Sequence, residues 1–275
     1  MKLDPSSTDA LMRLKAATKW MWTQGDYPAV ASLLEPYAQQ LAEACGIQAG
    51  TAALDVAAGT GNFAIAAAER GARVIASDMT PHMIELGRAR TEDAGWQIGW
   101  VDGDAEALPF PDAAFDLVAS VFGAMFAAQP ELVVRELFRV CRDGGIVAMA
   151  NYSREGFLGG MASLFERYSS RRLAVDLPSP FDWGEEEVVR TRFGPHASRV
   201  LVEPGTITWT FASVDASLEF WERTNAPTIA LRMTVEPERY AAFQRDARQL
   251  MHDLNSTSGE GVALRSSYLN VLALK

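Results

Sequence analysis

The sequence predicts an α/β protein built on a doubly wound, seven-stranded sheet, with an antiparallel last strand and helical lid insertions. Three observations predict it. Between Thr51 and Asn151, five short apolar runs alternate with segments of helical periodicity, the pattern of parallel strands joined by crossover helices. A glycine-rich turn stands at the first strand-to-helix junction. After Asn151 the alternation stops, and two late strand-like segments follow among helices, which suits a hairpin added to a parallel sheet.

The elements follow in order. Residues 8–22 read as a helix with Leu11, Leu14 and Thr18 on one face, ending in the aromatic cluster Trp20, Trp22 and Tyr27. Val30, Leu33, Leu34, Tyr37, Leu41 and Cys45 recur at helical spacing. Pro36 is expected to kink or divide that helix, and Gly46 to cap it. Thr51–Val56 reads as a buried strand, Asn62–Arg70 as an alanine-rich helix stopped by Gly71, and Ala72–Ser77 as a second strand. Thr80-Pro81 sets proline at the first helical position and opens a helix to about Asp93. Trp96, Ile98 and Trp100 alternate as a third strand, and Phe115–Val121 is a fourth. Glu131–Val140 is a helix with an apolar stripe of Leu132, Val133, Leu137 and Phe138. Asp143-Gly144-Gly145 turns it into a fifth strand, Ile146–Asn151.

Residues 153–197 hold Gly, Pro and aromatic residues with no strand pattern. Ser198–Ala212 reads as a strand pair or one long strand bent around Pro204-Gly205. Residues 213–225 and 237–254 read as helices, and Val262–Leu274 as the last strand. One domain over 1–275 is expected. Its core spans about 47–152, completed by strands 198–212 and 262–275, with lid and substrate elements at 1–46, 153–197 and 213–261.

Among the 275 residues, 25 Lys and Arg stand against 35 Asp and Glu, a net charge of −10. That balance argues against nucleic acid and against anionic membranes, which need a basic face. Residues 20–69 and 91–134 contain no Lys or Arg. The second stretch carries Glu92, Asp93, Asp102, Asp104, Glu106, Asp112, Asp116 and Glu131. Such acids are usually solvated; the sharper reading is a cleft that favours a cation. Cys45 and Cys141 are too few for a disulfide framework, and no Cys/His cluster has metal-ligand spacing. MKLDPSSTD lacks the apolar run of a signal peptide, and no stretch reaches the roughly 18 apolar residues of a membrane span. A cytoplasmic protein is expected.

The most informative segment is Leu54-Asp55-Val56-Ala57-Ala58-Gly59-Thr60-Gly61-Asn62. It follows a strand and opens a helix, the setting of a nucleotide-binding loop. Gly59 and Gly61 allow a sharp turn and close approach of a ligand. The helix N-terminus behind them suits a carboxylate or phosphate. With Ala64 the loop also fits a dinucleotide fingerprint, and Asp78 could hold ribose hydroxyls of either cofactor class. Asp55 and Asp104 discriminate. Asp55 suits an ammonium and Asp104 an adenine amino group, and a nicotinamide cofactor has no ammonium.

LDVAAGTGN, ASDMTPHM, GDAEALPFPDAAFDLV and LFRVCRDGG, in that order over residues 51–151, resemble the class I S-adenosylmethionine (SAM)-dependent methyltransferases. The likeness is to the branch with the ubiquinone and menaquinone C-methyltransferases, whose sheet is Rossmann-like. The resemblance implies SAM as cofactor and S-adenosylhomocysteine as product. It implies that Asp55 accepts from the methionine amino group, with Ala57, Gly59 and Gly61 along the methionine tail. The family usually has glycine at position 57, so the loop is expected to sit slightly differently. Asp78 would bind the ribose, Met79 would pack on adenine, and Asp104 and the Ala105 N–H would hold the adenine edge. The Val121 carbonyl would face the ammonium.

A sulfonium methyl is already activated, so transfer needs an aligned nucleophile and exclusion of water; alignment alone supplies about 7–11 kcal/mol. His82, His196 and His252 lie in no motif, and no catalytic residue is assigned. The acceptor should lie over the C-terminal strand ends. Trp22, Tyr27, Phe122, Phe126, Tyr152 and Trp183 are the candidate walls, and aromatic walls suit a flat, apolar small molecule. The same residues serve equally as core. Two other readings share the loop: a SAM-binding cyclase or isomerase that does not methylate, and an NAD-dependent oxidoreductase.

Overall fold

The computed structural model describes residues 5–169, 177–257 and 259–275. The chain forms two compact units. The first comprises Met1–Val30, Ser153–Leu177 and Thr206–Ser267; the second comprises Ala31–Tyr152, Pro178–Gly205 and Tyr268–Lys275.

Helices α1 (Pro5–Trp22) and α2 (Tyr27–Ala44) come first. Then β1 (Ala52–Val56), α3 (Asn62–Glu69), β2 (Arg73–Asp78), α4 (Pro81–Asp93) and β3 (Gly99–Asp102) alternate. They lead to β4 (Phe115–Val121), α5 (Pro130–Val140) and β5 (Cys141–Gly156). The rest comprises α6 (Phe157–Tyr168), α7 (Glu186–Phe193), β6 (Arg199–Phe211), α8 (Val214–Thr224), α9 (Ala226–Thr234), α10 (Pro237–Leu254) and β7 (Val262–Leu274). Short 3-10 turns occupy Ala124–Phe126 and Pro180–Gly184.

The seven strands form one sheet in the order β3-β2-β1-β4-β5-β7-β6. β1 pairs in parallel with β2 and with β4, β2 with β3, and β4 with β5. β7 runs the other way, as the sequence predicts. The Lys275 N–H donates to the Gly145 carbonyl and the Gly144 N–H to that of Lys275, at 3.0 and 3.1 Å, so the end of β7 lies beside the start of β5. The strand order reverses between β1 and β4, the switch point where ligands of such sheets bind.

The second unit's core mixes aliphatic residues with the rings of Phe63, Phe138, Trp183 and Phe193. Leu54, Val118, Val133, Leu137 and Val147 are all buried, each contributing roughly 1.5–3 kcal/mol by leaving water. The first unit is filled by rings. Trp221 of α8 lies 5.2 Å from Trp209 and 5.6 Å from Phe157 between centroids. Phe243 of α10 lies within 6 Å of Phe165, Tyr168 and Tyr240. The Trp209 indole N–H donates to Ser266 Oγ at 3.1 Å.

Several boundaries differ from expectation. Pro36 does not divide α2; its missing N–H forfeits one bond, while buried Leu34, Ala38, Leu41 and Ala42 keep the helix face. Strand β3 begins at Gly99, not Trp96. Gly95 has φ +76° and the Trp96 N–H donates to the Thr91 carbonyl, so Trp96 closes α4 and pairing starts only at Ile75↔Gly99. β5 reaches from Cys141 to Gly156, beyond Ile146–Asn151 at both ends. The stretch 198–212 holds one strand, β6, and among the described residues of 153–197 lie the two helices α6 and α7. Among the described residues no helix is long and apolar enough to cross a membrane.

Candidate cofactor site

The site starts at the end of β1. Asp55 is 1% exposed, and its Oδ2 accepts the Ala64 N–H at 2.9 Å, satisfying a donor in the first turn of α3. The loop between them turns through three left-handed residues: Ala57, Gly59 and Gly61, with φ of +53°, +55° and +85°. Ala57 thus holds the conformation that favours glycine, at about 1–2 kcal/mol of strain.

Asp78 closes β2 and ties three segments together. Its carboxylate accepts the Gly59 N–H at 2.9 Å and the Thr80 N–H at 2.8 Å, and its carbonyl accepts the Gly103 N–H at 3.1 Å. The glycine loop, the start of α4 and the loop carrying Asp104 are therefore fixed to one residue. Burial pushes the Asp55 carboxyl up to about 8, against the pull of the Ala64 N–H, with Asp78 adding repulsion. Burial also raises Asp78. Among the described residues neither acid has a salt bridge.

Asp104 is half-buried, and its Oδ1 accepts the Glu106 N–H at 2.9 Å. Ala105 and Glu106 are buried beside it, with the Glu106 carboxylate on the Gln129 backbone and side-chain N–H groups. Arg139 spans Glu136, Asp112 and the carbonyls of Leu108 and Phe110. Asp116 accepts the Ala52 N–H and pairs with Arg142. Asp104 and Glu106 thus brace the loops beside the site, whereas Asp116, at the starts of β1 and β5, lies at the other end of the strands.

Val121 ends β4, beside β1 in the sheet. Phe122 follows with φ +53°. Next, Gly123 lies so close to the glycine loop that an added Cβ would meet the Ala57 oxygen at 2.3 Å and its Cβ at 2.9 Å. The Phe122 ring stacks on Tyr152 with centroids 4.1 Å apart and planes 3° from parallel. Tyr268 abuts Phe122 edge-on and bonds Gln40 of α2.

Asp55, Ala57, Gly59, Gly61, Asp78 and Val121 therefore come together at the switch point, with the Asp104–Ala105 loop attached through Gly103. Met79 is half-buried next to Asp78, and Phe126 is half-buried in the turn after β4. Trp183 is 1% exposed, covered by the Arg192 guanidinium 4.6 Å from its ring centroid and flanked by Phe193. Its ring fills that unit's core. Trp22 and Tyr27 meet edge-to-face at 6.0 Å; Trp22 and Tyr27 belong to the first unit. The sequence pattern missed Arg90, which bonds Thr60 and Asn62 of the glycine loop. It also missed Asn151, fully buried within β5 with neither amide atom partnered among the described residues.

A Rossmann-like sheet with a glycine turn after β1 and acids near the ends of β1 and β2 is an architecture common among nucleoside-cofactor enzymes. Relatives narrow the class. A methyltransferase-domain family model matches residues 54–149. An uncharacterised protein of Mycobacterium tuberculosis is 37% identical over 237 residues, covering 85% of this chain and 86% of its own. The demethylmenaquinone methyltransferase of Thermus thermophilus is 40% identical over 101 residues, 36% of this chain and 46% of that protein. A phosphoethanolamine N-methyltransferase of Haemonchus contortus, solved with phosphomonomethylethanolamine and S-adenosylhomocysteine, shares the fold: TM-score 0.54, 17% identity, 87% of this chain and 52% of that one. Residues 54–149 thus form a methyltransferase-family domain, and the fold is that of the class I methyltransferases.

Proposed function

We propose that the protein transfers a methyl group from SAM to a small, apolar or aromatic metabolite. The observation that carries this reading is a pair of buried carboxylates, Asp55 and Asp78, without a salt bridge among the described residues, around a left-handed glycine turn. Burying such charge is costly unless something pairs with it, and a ligand with an ammonium and a ribose diol supplies both partners. When bound, SAM supplies a methyl group already activated on a sulfonium.

The remaining work falls to the chain. Asp55 and the Val121 carbonyl hold the ammonium, and Ala57, Gly59 and Gly61 line the methionine tail without side-chain bulk. Asp78 accepts from the ribose hydroxyls with the lone pairs left by the Gly59 and Thr80 N–H groups. Met79 covers the adenine, Asp104 accepts from its amino group, and the Ala105 N–H donates to a ring nitrogen. The Phe122–Tyr152 stack, with Phe126, gives the acceptor a dry aromatic surface, which suits a flat apolar substrate. We read the whole of 1–275 as one methyltransferase domain. Both cysteines are buried and free, in keeping with a reducing cytoplasm.

S-adenosylhomocysteine at about 100 times its Kd should raise the melting temperature by about 5–10 °C, and NAD should leave it unchanged. The reverse pattern refutes the cofactor assignment. Methyl transfer to candidate quinones, polyketides and aromatic amines then separates this reading from a non-methylating cyclase: binding without turnover on any acceptor favours the cyclase.

A further inference from the structure

Arg90 of α4 reaches the back of the glycine loop. Its Nη1 donates to Asn62 Oδ1 at 2.6 Å and lies 3.3 and 3.4 Å from the Thr60 carbonyl and hydroxyl oxygens. Its Nη2 donates to Glu35 of α2 at 2.7 Å. The Asn62 amide, oriented by this contact, donates to the Ala31 carbonyl of α2 at 2.8 Å. One planar fork thus joins α4, α2 and the turn that opens α3. The ring of Trp100 seats the same corner, against Gly61 and Gly87. No Lys or Arg occurs from residue 20 to 69, so positive charge at this loop has to come from outside it, and Arg90 brings it.

The other end of the site is fixed without Arg90. Asp78 is held by the Gly59 and Thr80 N–H groups, and Asp104 by that of Glu106. The loop therefore has two separable supports: one under the residues for the nucleoside, and one under Thr60–Asn62, where the first N–H groups of α3 favour a carboxylate.

We propose that Arg90 is a positioning residue for the amino-acid end of the cofactor, holding the Thr60–Asn62 turn in the shape that receives it. The inference rests on the SAM reading above. A lysine cannot replace it fully, because one ammonium does not reproduce the bidentate fork.

Calorimetry with two probes tests this: S-adenosylhomocysteine, and 5′-methylthioadenosine, which lacks the amino-acid tail. Arg90→Met should weaken the first by about tenfold or more, the loss expected for hydrogen bonds to a charged group. The second should stay within about twofold, and Arg90→Lys should fall between. Glu35→Gln, which removes only a half-exposed ion pair, should leave both probes within about twofold. Equal weakening of both probes in Arg90→Met, or of neither, overturns the proposal. Should Arg90→Met not fold, the same comparison on Arg90→Lys decides. If the wild-type protein binds neither probe, the cofactor reading itself fails, and this inference with it.

Discussion

In the unit that carries β1–β4, acids go inside. Asp55, Asp78 and Glu106 are all buried, each accepting a backbone N–H, while buried Glu136 also pairs with Arg139. In the unit that carries α8–α10, rings fill the interior, and Asp215 and Asp246 stay at the surface paired with Arg248 and Arg167. The contrast separates two uses of free energy. Rings stabilise a fold with no ligand present. A buried carboxylate without a cation costs stability, and is best retained where a ligand supplies the missing charge.

Three substitutions can break or sharpen that contrast. The largest effect should come from Trp221→Ala: about 3–5 kcal/mol of lost stability, by chemical denaturation, with S-adenosylhomocysteine affinity of the folded protein unchanged. A parallel loss of affinity would show that the ring-filled unit also serves the cofactor. Asp78→Ala should do the opposite, lowering affinity by on the order of 100-fold, about 2.7 kcal/mol. The unpaired Gly59 and Thr80 N–H groups should cost folding about 1–3 kcal/mol each, offset in part by removal of a buried charge. Unchanged affinity would make Asp78 a structural brace alone.

The third effect is a slope. Asp55 is raised from 3.8 to about 8 on folding, so between those values the folded state holds a proton that the unfolded state has lost. The stability this contributes is complete below about pH 4 and declines as pH rises to about 8. Asp55→Asn, which keeps an acceptor for the Ala64 N–H, should flatten the decline, as should saturating S-adenosylhomocysteine through its ammonium. Denaturation midpoints across this range, with and without ligand, check it; identical slopes in wild type and variant remove Asp55 as the source.

What the sequence reveals and what it hides follow the range of the interactions. The β1 loop, Asp78 and the Thr80-Pro81 helix start are local signals, and they sit where expected. Helix α6 was hidden by its own glycines. Gly159 and Gly160 weaken helix propensity, yet a Cβ at Gly159 would lie 1.8 Å from the Arg154 oxygen, and one at Gly160 2.9 Å from the Leu250 side chain. The backbone turn into the helix, with the Arg154 carbonyl five residues back, demands glycine at 159 whatever its propensity. Trp96 mimicked a strand because alternation does not register the Gly95 turn. Nothing local distinguishes Arg90 from Arg88, since its partners lie 28 to 55 residues away. The Phe122–Tyr152 stack likewise joins the residue after β4 to one within β5, 30 positions on.

The contact between Gly123 and Ala57 bears on how this protein could be given a new substrate. Residue 123 has no room to grow without displacing the backbone at 57, so the segment after β4 and the cofactor loop share one clearance. If the proposed cofactor and acceptor roles hold, a library that randomises 122–126 to change acceptor preference would, at position 123, select against cofactor affinity before it sampled any acceptor. Diversity is better spent on the side chains of Phe122 and Phe126, leaving Gly123 as it is.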